Sequence, residues 1–171
     1  MKALFLHGLE SKPKNQKSEF LAKFDAQCPA MDYRSPGLFN EILTKIQNDR
    51  PEVLIGSSMG GWFAYCLSTI TGIPTILFNP AVHSRSIEPV VQIGSMKANH
   101  TVILGRNDDL INPEETLEWI KKNPGHFKVN FENNGHQTPI NIFKKYVLNS
   151  GYLNEMQRIK MFEEFNNLDL T

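Results

Sequence analysis

Six short apolar runs, each followed by a longer segment of mixed polarity, leave this chain few folds. The runs occupy residues 3–6, 28–31, 52–55, 74–78, 101–104 and 127–131. All but the last are nearly continuous, as expected of strands covered on both faces, where neither side meets water. The last alternates, with Phe127, Val129 and Phe131 set against Lys128 and Asn130. The segments between them carry helical spacing. Phe20, Leu21 and Phe24 share a face over residues 16–24, and Leu38, Ile42 and Ile46 recur every fourth residue. Residues 59–70 are small and apolar, as a central helix would be. Asn112, Pro113, Glu114 and Glu115 mark a helix start: a capping Asn, Pro at the first position and acids in the first turn. That helix continues through Leu117 and Ile120, and most of residues 79–99 are expected to form a crossover helix, with Ile87, Val90, Val91 and Met96 available to face the sheet or an acyl group. Strand alternating with helix predicts right-handed crossovers and a mostly parallel sheet of about six strands. Two more helices are expected, over 138–148 and 152–165, with Ser150-Gly151 breaking between them. Leu153, Met156, Ile159, Phe162 and Phe165 would pack the second onto the sheet.

The length, 171 residues, fits a single domain spanning 1–171 with a substantial core. Lys plus Arg and Asp plus Glu both number 18, so the net charge is zero. Without a basic block the chain is poorly suited to nucleic acid or to anionic membranes. Cys28 and Cys66 cannot build a disulfide framework, and no Cys/His spacing resembles a zinc site. The opening apolar run is shorter than the roughly 7–15 residues of a signal peptide, and nothing approaches the roughly 20 of a membrane helix. These readings predict a cytoplasmic protein, a monomer or weak homodimer, that needs no metal and no cofactor.

The strongest chemical signal is Gly56-Ser57-Ser58-Met59-Gly60. It is a G-x-S-x-G turn between a buried strand and an apolar helix. Such a turn is so tight that the residues two before and two after its centre must be small. It lifts the central hydroxyl, Ser58, clear of the sheet at a helix N-terminus, where unpaired N–H groups favour developing negative charge. Ser57 is excluded as the centre, because Ile55 and Met59 would then stand where glycines are needed. A nucleophilic serine needs a base, and the base needs an acid to orient it. In a parallel sheet both belong on loops at the C-terminal ends of later strands. The strand at 101–104 runs into Asp108 and Asp109, and the strand at 127–131 runs into His136. Serine, then Asp108 or Asp109, then histidine is the chain order of α/β-hydrolases. Two backbone N–H groups are candidates to hold the oxyanion: Met59, next to the nucleophile, and Leu9, on the loop where Gly8 lets the backbone turn inward.

Other polar residues read as structural. His7 braces its loop, and His100 and His126 begin strands on the opposite edge. Asp32 ends what should be an edge strand, and Cys66 lies in the core. His83, beyond the fourth strand, is expected near the mouth of the site as a surface or packing residue. Lys12, Lys14 and Lys17 form a solvated cluster that could still meet an anionic substrate group. No P-loop, dinucleotide fingerprint or H-E-x-x-H is present.

These residues resemble the α/β-hydrolase superfamily and, more narrowly, the small bacterial YqiA-like esterases. The matching features are Leu6-His7-Gly8-Leu9-Glu10-Ser11, the Gly-Ser-Ser-Met-Gly-Gly elbow, Asn79-Pro80-Ala81-Val82, the Asp108 loop and Gly135-His136. They span residues 1–148. The resemblance implies a three-layer α/β/α fold with a minimal lid and a cofactor-free serine esterase or thioesterase. Matched by position, it points to Ser58, Asp108 and His136, with Gly105, Asp108 and Ile111 in the family's register. The expected activity is cleavage of small acyl esters or thioesters through an acyl-enzyme. Two other classes share these features: a catalytically silent ligand-binding relative, and an acyltransferase or small peptidase using the same three residues.

Overall fold

A computed structural model describes residues 1–157. Its centre is a six-stranded sheet in the order β2-β1-β3-β4-β5-β6, every pair parallel. The strands are β1 (Lys2–Leu6), β2 (Asp25–Gln27), β3 (Val53–Ser57), β4 (Thr75–Phe78), β5 (Asn99–Gly105) and β6 (His126–Glu132). The helices are α1 (Gln16–Leu21), α2 (Leu38–Asp49), α3 (Met59–Thr71), α4 (Pro113–Lys122) and α5 (Ile140–Leu148). Alternate residues of β1, β3, β4 and β5 feed two separate cores. Leu4, Leu6, Leu54, Leu77 and Leu104 pack with α2 and α3 on one face. Ala3, Phe5, Ile55, Ile76 and Phe78 pack with α1 and α5 on the other. The continuous apolar runs are thus explained by helical layers on both sides of the sheet.

Local chemistry sets the element ends. The Asn15 side chain accepts from the N–H groups of Lys17 and Ser18 to start α1, and Asn112 does the same for α4 at Glu114 and Glu115. Gly72, at φ 72°, closes α3 in the left-handed region where a side chain would be strained. Among the described residues no helix is long and apolar enough to cross a membrane.

Three expectations are corrected. The second strand lies at Asp25–Gln27, ahead of the apolar run at 28–31. Pro29 has no N–H to offer a ladder, and Met31 reaches the core outside any strand. The first helix stops at Leu21 instead of running to Phe24. The β4–β5 connection, residues 79–98, holds no helix. It crosses the C-terminal turn of α3 as irregular chain: Gly94 N–H donates to Thr69 Oγ1 at 2.9 Å and Met96 N–H to the Thr69 carbonyl at 2.8 Å. Its backbone donors thus go to a neighbouring helix, and Pro80 and Pro89 would interrupt a helix of its own. Val90 and Met96, expected to face the sheet or an acyl group, are exposed, while Ile87 and Val91 are partly buried against the core. The expected final helix at 152–165 falls largely outside the described residues.

Candidate active site

Ser58 stands between the end of β3 and the first residue of α3, with φ 54° and ψ −119°, a conformation that costs energy for any residue with a side chain. The glycines around it explain how the turn closes. A Cβ on Gly60 would lie 1.9 Å from the Leu6 carbonyl oxygen, and one on Gly56 would lie 2.4 Å from the Gly60 carbonyl oxygen. Gly8 brings the loop after β1 against the serine, its Cβ position 3.4 Å from Ser58 Cβ. Backbone bonds hold the strained residue in place: Ser58 N–H donates to Phe78 at 2.9 Å, and its carbonyl accepts from Ala81 at 3.0 Å.

The loops after β5 and β6 meet at this serine. Ser58 Oγ lies 2.9 Å from His136 Nε2. His136 Nδ1 lies 2.9 Å and 3.1 Å from the two Asp108 carboxylate oxygens. Asp108 Oδ1 also accepts from the N–H groups of Leu110 at 2.9 Å and Ile111 at 2.8 Å. Burial alone would raise the Asp108 carboxyl, but His136 and these two N–H groups outweigh it and hold it below the usual carboxylate range. An ionised Asp108 can only accept, so His136 Nδ1 must donate. Nε2 is then left as the acceptor for the Ser58 hydroxyl. Asp109, one residue on, is exposed. The register Gly105, Asp108, Ile111 is the one in which the carboxylate turns inward.

Leu9 and Met59 both line the cavity beside Ser58. His7 braces the Leu9 loop, with Nδ1 donating to the Gly8 carbonyl at 2.8 Å, and the buried Tyr33 hydroxyl donates to the His7 carbonyl. His83 Nε2 donates to the Asn112 carbonyl at 3.1 Å and Nδ1 lies 3.1 Å from Glu115, so it ties the β4–β5 connection to the start of α4. His100 is buried and bonded to Thr75, and His126 is exposed at the start of β6. Cys66 is fully buried, and burial pushes its thiol up, away from nucleophilic use. Of the three loop lysines, Lys12 and Lys14 are exposed, and Lys17 lines the cavity. No group of three His, Cys, Asp or Glu side chains among the described residues is placed to hold a metal ion.

One site residue escaped functional assignment from the sequence. Asn79, buried at the end of β4 with φ 43°, accepts from Gly105 N–H at 2.7 Å and donates to the carbonyls of His136 at 2.7 Å and Gly135 at 3.1 Å. It clamps the loop carrying Asp108 to the loop carrying His136. In the sequence it appears only as the first residue of the Asn79-Pro80-Ala81-Val82 match, without a role; its partners lie 26 and 57 residues away along the chain.

The cavity at these residues measures about 810 Å³ and opens between the loops after β1, β4, β5 and β6. The model of an uncharacterised protein family, UPF0227, matches residues 2–102. No curated protein matches the chain. Solved structures similar to it include three bacterial proteins. One from Xanthomonas campestris pv. campestris, assigned to the α/β superfamily of hydrolases, has a TM-score of 0.62 at 18% identity, covering 82% of this chain and 89% of its own. A carboxylesterase from Bacillus cereus has a TM-score of 0.58 at 17% identity, covering 84% of each chain. A lidless α/β serine hydrolase from Xanthomonas campestris has a TM-score of 0.51 at 12% identity, covering 79% and 73%. At these identities the likeness establishes the α/β-hydrolase fold.

Proposed function

The chain belongs to the UPF0227 family, and we propose that it is a serine hydrolase that cleaves carboxylic esters or acyl thioesters. The observation that carries the reading is the unbroken line of short contacts from Ser58 Oγ through His136 to Asp108. His136 Nε2 takes the Ser58 proton as the oxygen attacks the carbonyl carbon, and Asp108 holds the imidazole in the required tautomer and stabilises the imidazolium. The carbonyl oxygen becomes an oxyanion that accepts from the backbone N–H groups of Met59 and Leu9. Collapse expels the alkoxide or thiolate, which receives the proton from His136, and leaves an acyl group on Ser58. Water, deprotonated by the same histidine, then releases the acid and restores the serine.

The irregular path of residues 79–98 supports an open site and small or flexible substrates, because it supplies no helical cap over Ser58. A neighbour of the same fold is likewise described as lacking a lid. The test is labelling with a fluorophosphonate, followed by hydrolysis of a panel of p-nitrophenyl esters and acyl thioesters. Wild type should label at Ser58 alone, and Ser58→Ala should lose both labelling and turnover while keeping its thermal transition. Labelling that persists in that variant, or that maps to Ser57, overturns the assignment.

A further inference from the structure

The cavity around Ser58 contains a cation that no carboxylate balances among the described residues. Lys17, in the first turn of α1, lines the same cavity as Ser58 and His136, and no carboxylate pairs with it among the described residues. Its one ring neighbour among the described residues is apolar: Nζ lies 5.5 Å from the centre of the Phe143 ring, a fully buried core residue, and Phe5 and Ile140 also line the cavity. A half-buried ammonium without a counter-ion is costly unless something bound there supplies one. Burial lowers the Lys17 amine to about 8, so it stays mostly charged at neutral pH while being held only weakly by water. The other charges of the cavity differ in kind. Arg85 is committed to Glu88 and to the carbonyls of Ala81 and Val82, with its guanidinium over Trp62. Glu10 is exposed on the loop after β1.

We propose that Lys17 selects substrates that carry an anionic group, a carboxylate or phosphate, on one of the two limbs flanking the scissile bond. This rests on the hydrolase reading and adds the substrate class to it. The anion would take the place of the missing counter-ion at a half-buried position, where a charge pair is stronger than in water. A neutral substrate would leave the ammonium uncompensated.

Two matched pairs of esters test this and locate the limb. For the acyl limb, p-nitrophenyl hemisuccinate is compared with p-nitrophenyl butyrate. For the leaving-group limb, 4-acetoxybenzoate is compared with phenyl acetate. The readout is the ratio of kcat/KM for the carboxylated over the neutral ester in wild type, Lys17→Met and Lys17→Arg. In Lys17→Met the ratio should fall about tenfold for one pair, the value of roughly 1.4 kcal/mol in a half-buried ion pair. Lys17→Arg should keep most of it. The neutral ester serves as the internal control for folding, because a purely structural lysine would lower both members together. Ratios unmoved in both pairs, or equal losses on charged and neutral esters, overturn the proposal while fluorophosphonate labelling of Ser58 leaves the hydrolase reading standing. Absence of labelling and turnover in wild type overturns both.

Discussion

At the scale of single residues, the prediction is that Asp108, and not the adjacent Asp109, serves His136. Asp108 has its carboxylate buried, both oxygens bonded and its charge held by His136 and two backbone N–H groups, whereas Asp109 is exposed. Asp108→Asn would leave an amide that cannot accept from His136 through both atoms and would favour the wrong tautomer. Turnover on an activated ester should fall on the order of 10³–10⁴-fold. Asp109→Asn should cost less than about tenfold, because it changes only a solvated charge. Comparing kcat for the two variants decides it: a crippled Asp109→Asn beside a near-normal Asp108→Asn would shift the register by one. Lys17 and Asn79 belong to this scale as well. Each owes its place to groups far away in the chain: Phe143 for the lysine, Gly105 and His136 for the asparagine.

At the scale of elements, the β4–β5 connection departs most from its expected form. Its length invites a crossover helix, yet its backbone is spent on α3 through Gly94 and Met96. Gly94 is where this contact is tightest, since a Cβ there would lie 2.3 Å from the Thr69 carbonyl oxygen and 3.0 Å from Ile70 Cα. Both obstacles are backbone atoms of a packed helix, so neither can swing aside. Gly94→Ala should therefore lift the connection off α3, with a loss of about 1–3 kcal/mol in urea unfolding. Unchanged stability would mean that the connection is not docked as described. The helix starts were easier to read, because a cap is local: Asn112 and Pro113 specify the start of α4 whatever packs against it.

At the scale of the whole molecule, His100 joins four elements. It lies on β5, bonds to Thr75 of β4 at 2.9 Å, stacks on Phe127 of β6 at 4.7 Å and meets Tyr65 of α3 at 5.2 Å. Burial, with a smaller push from His126, lowers it to about 4, against 6.5 for an ordinary histidine. Below pH 6.5 the unfolded chain therefore binds a proton that the folded chain refuses, and stability declines as pH falls from 6.5 toward 4. Above 6.5 this group contributes no slope. The decline should amount to about 3 kcal/mol, and His100→Asn, measured against its own plateau, should flatten it over that window. A variant that keeps the wild-type slope would remove His100 as its source. Legible in the residues alone were the alternation of strands and helices, the two-sided burial of the sheet, the elbow at Ser58 and the chain order of serine, acid and histidine. These are written in residue spacing and in turns whose geometry demands glycine, and both are local properties. Long-range packing alone makes residues 79–98 cross α3 without a helix, lets Asn79 tie two loops together and brings Lys17 into the cavity. Each depends on which distant backbone groups and side chains are brought within bonding distance, and no local spacing along the chain encodes that.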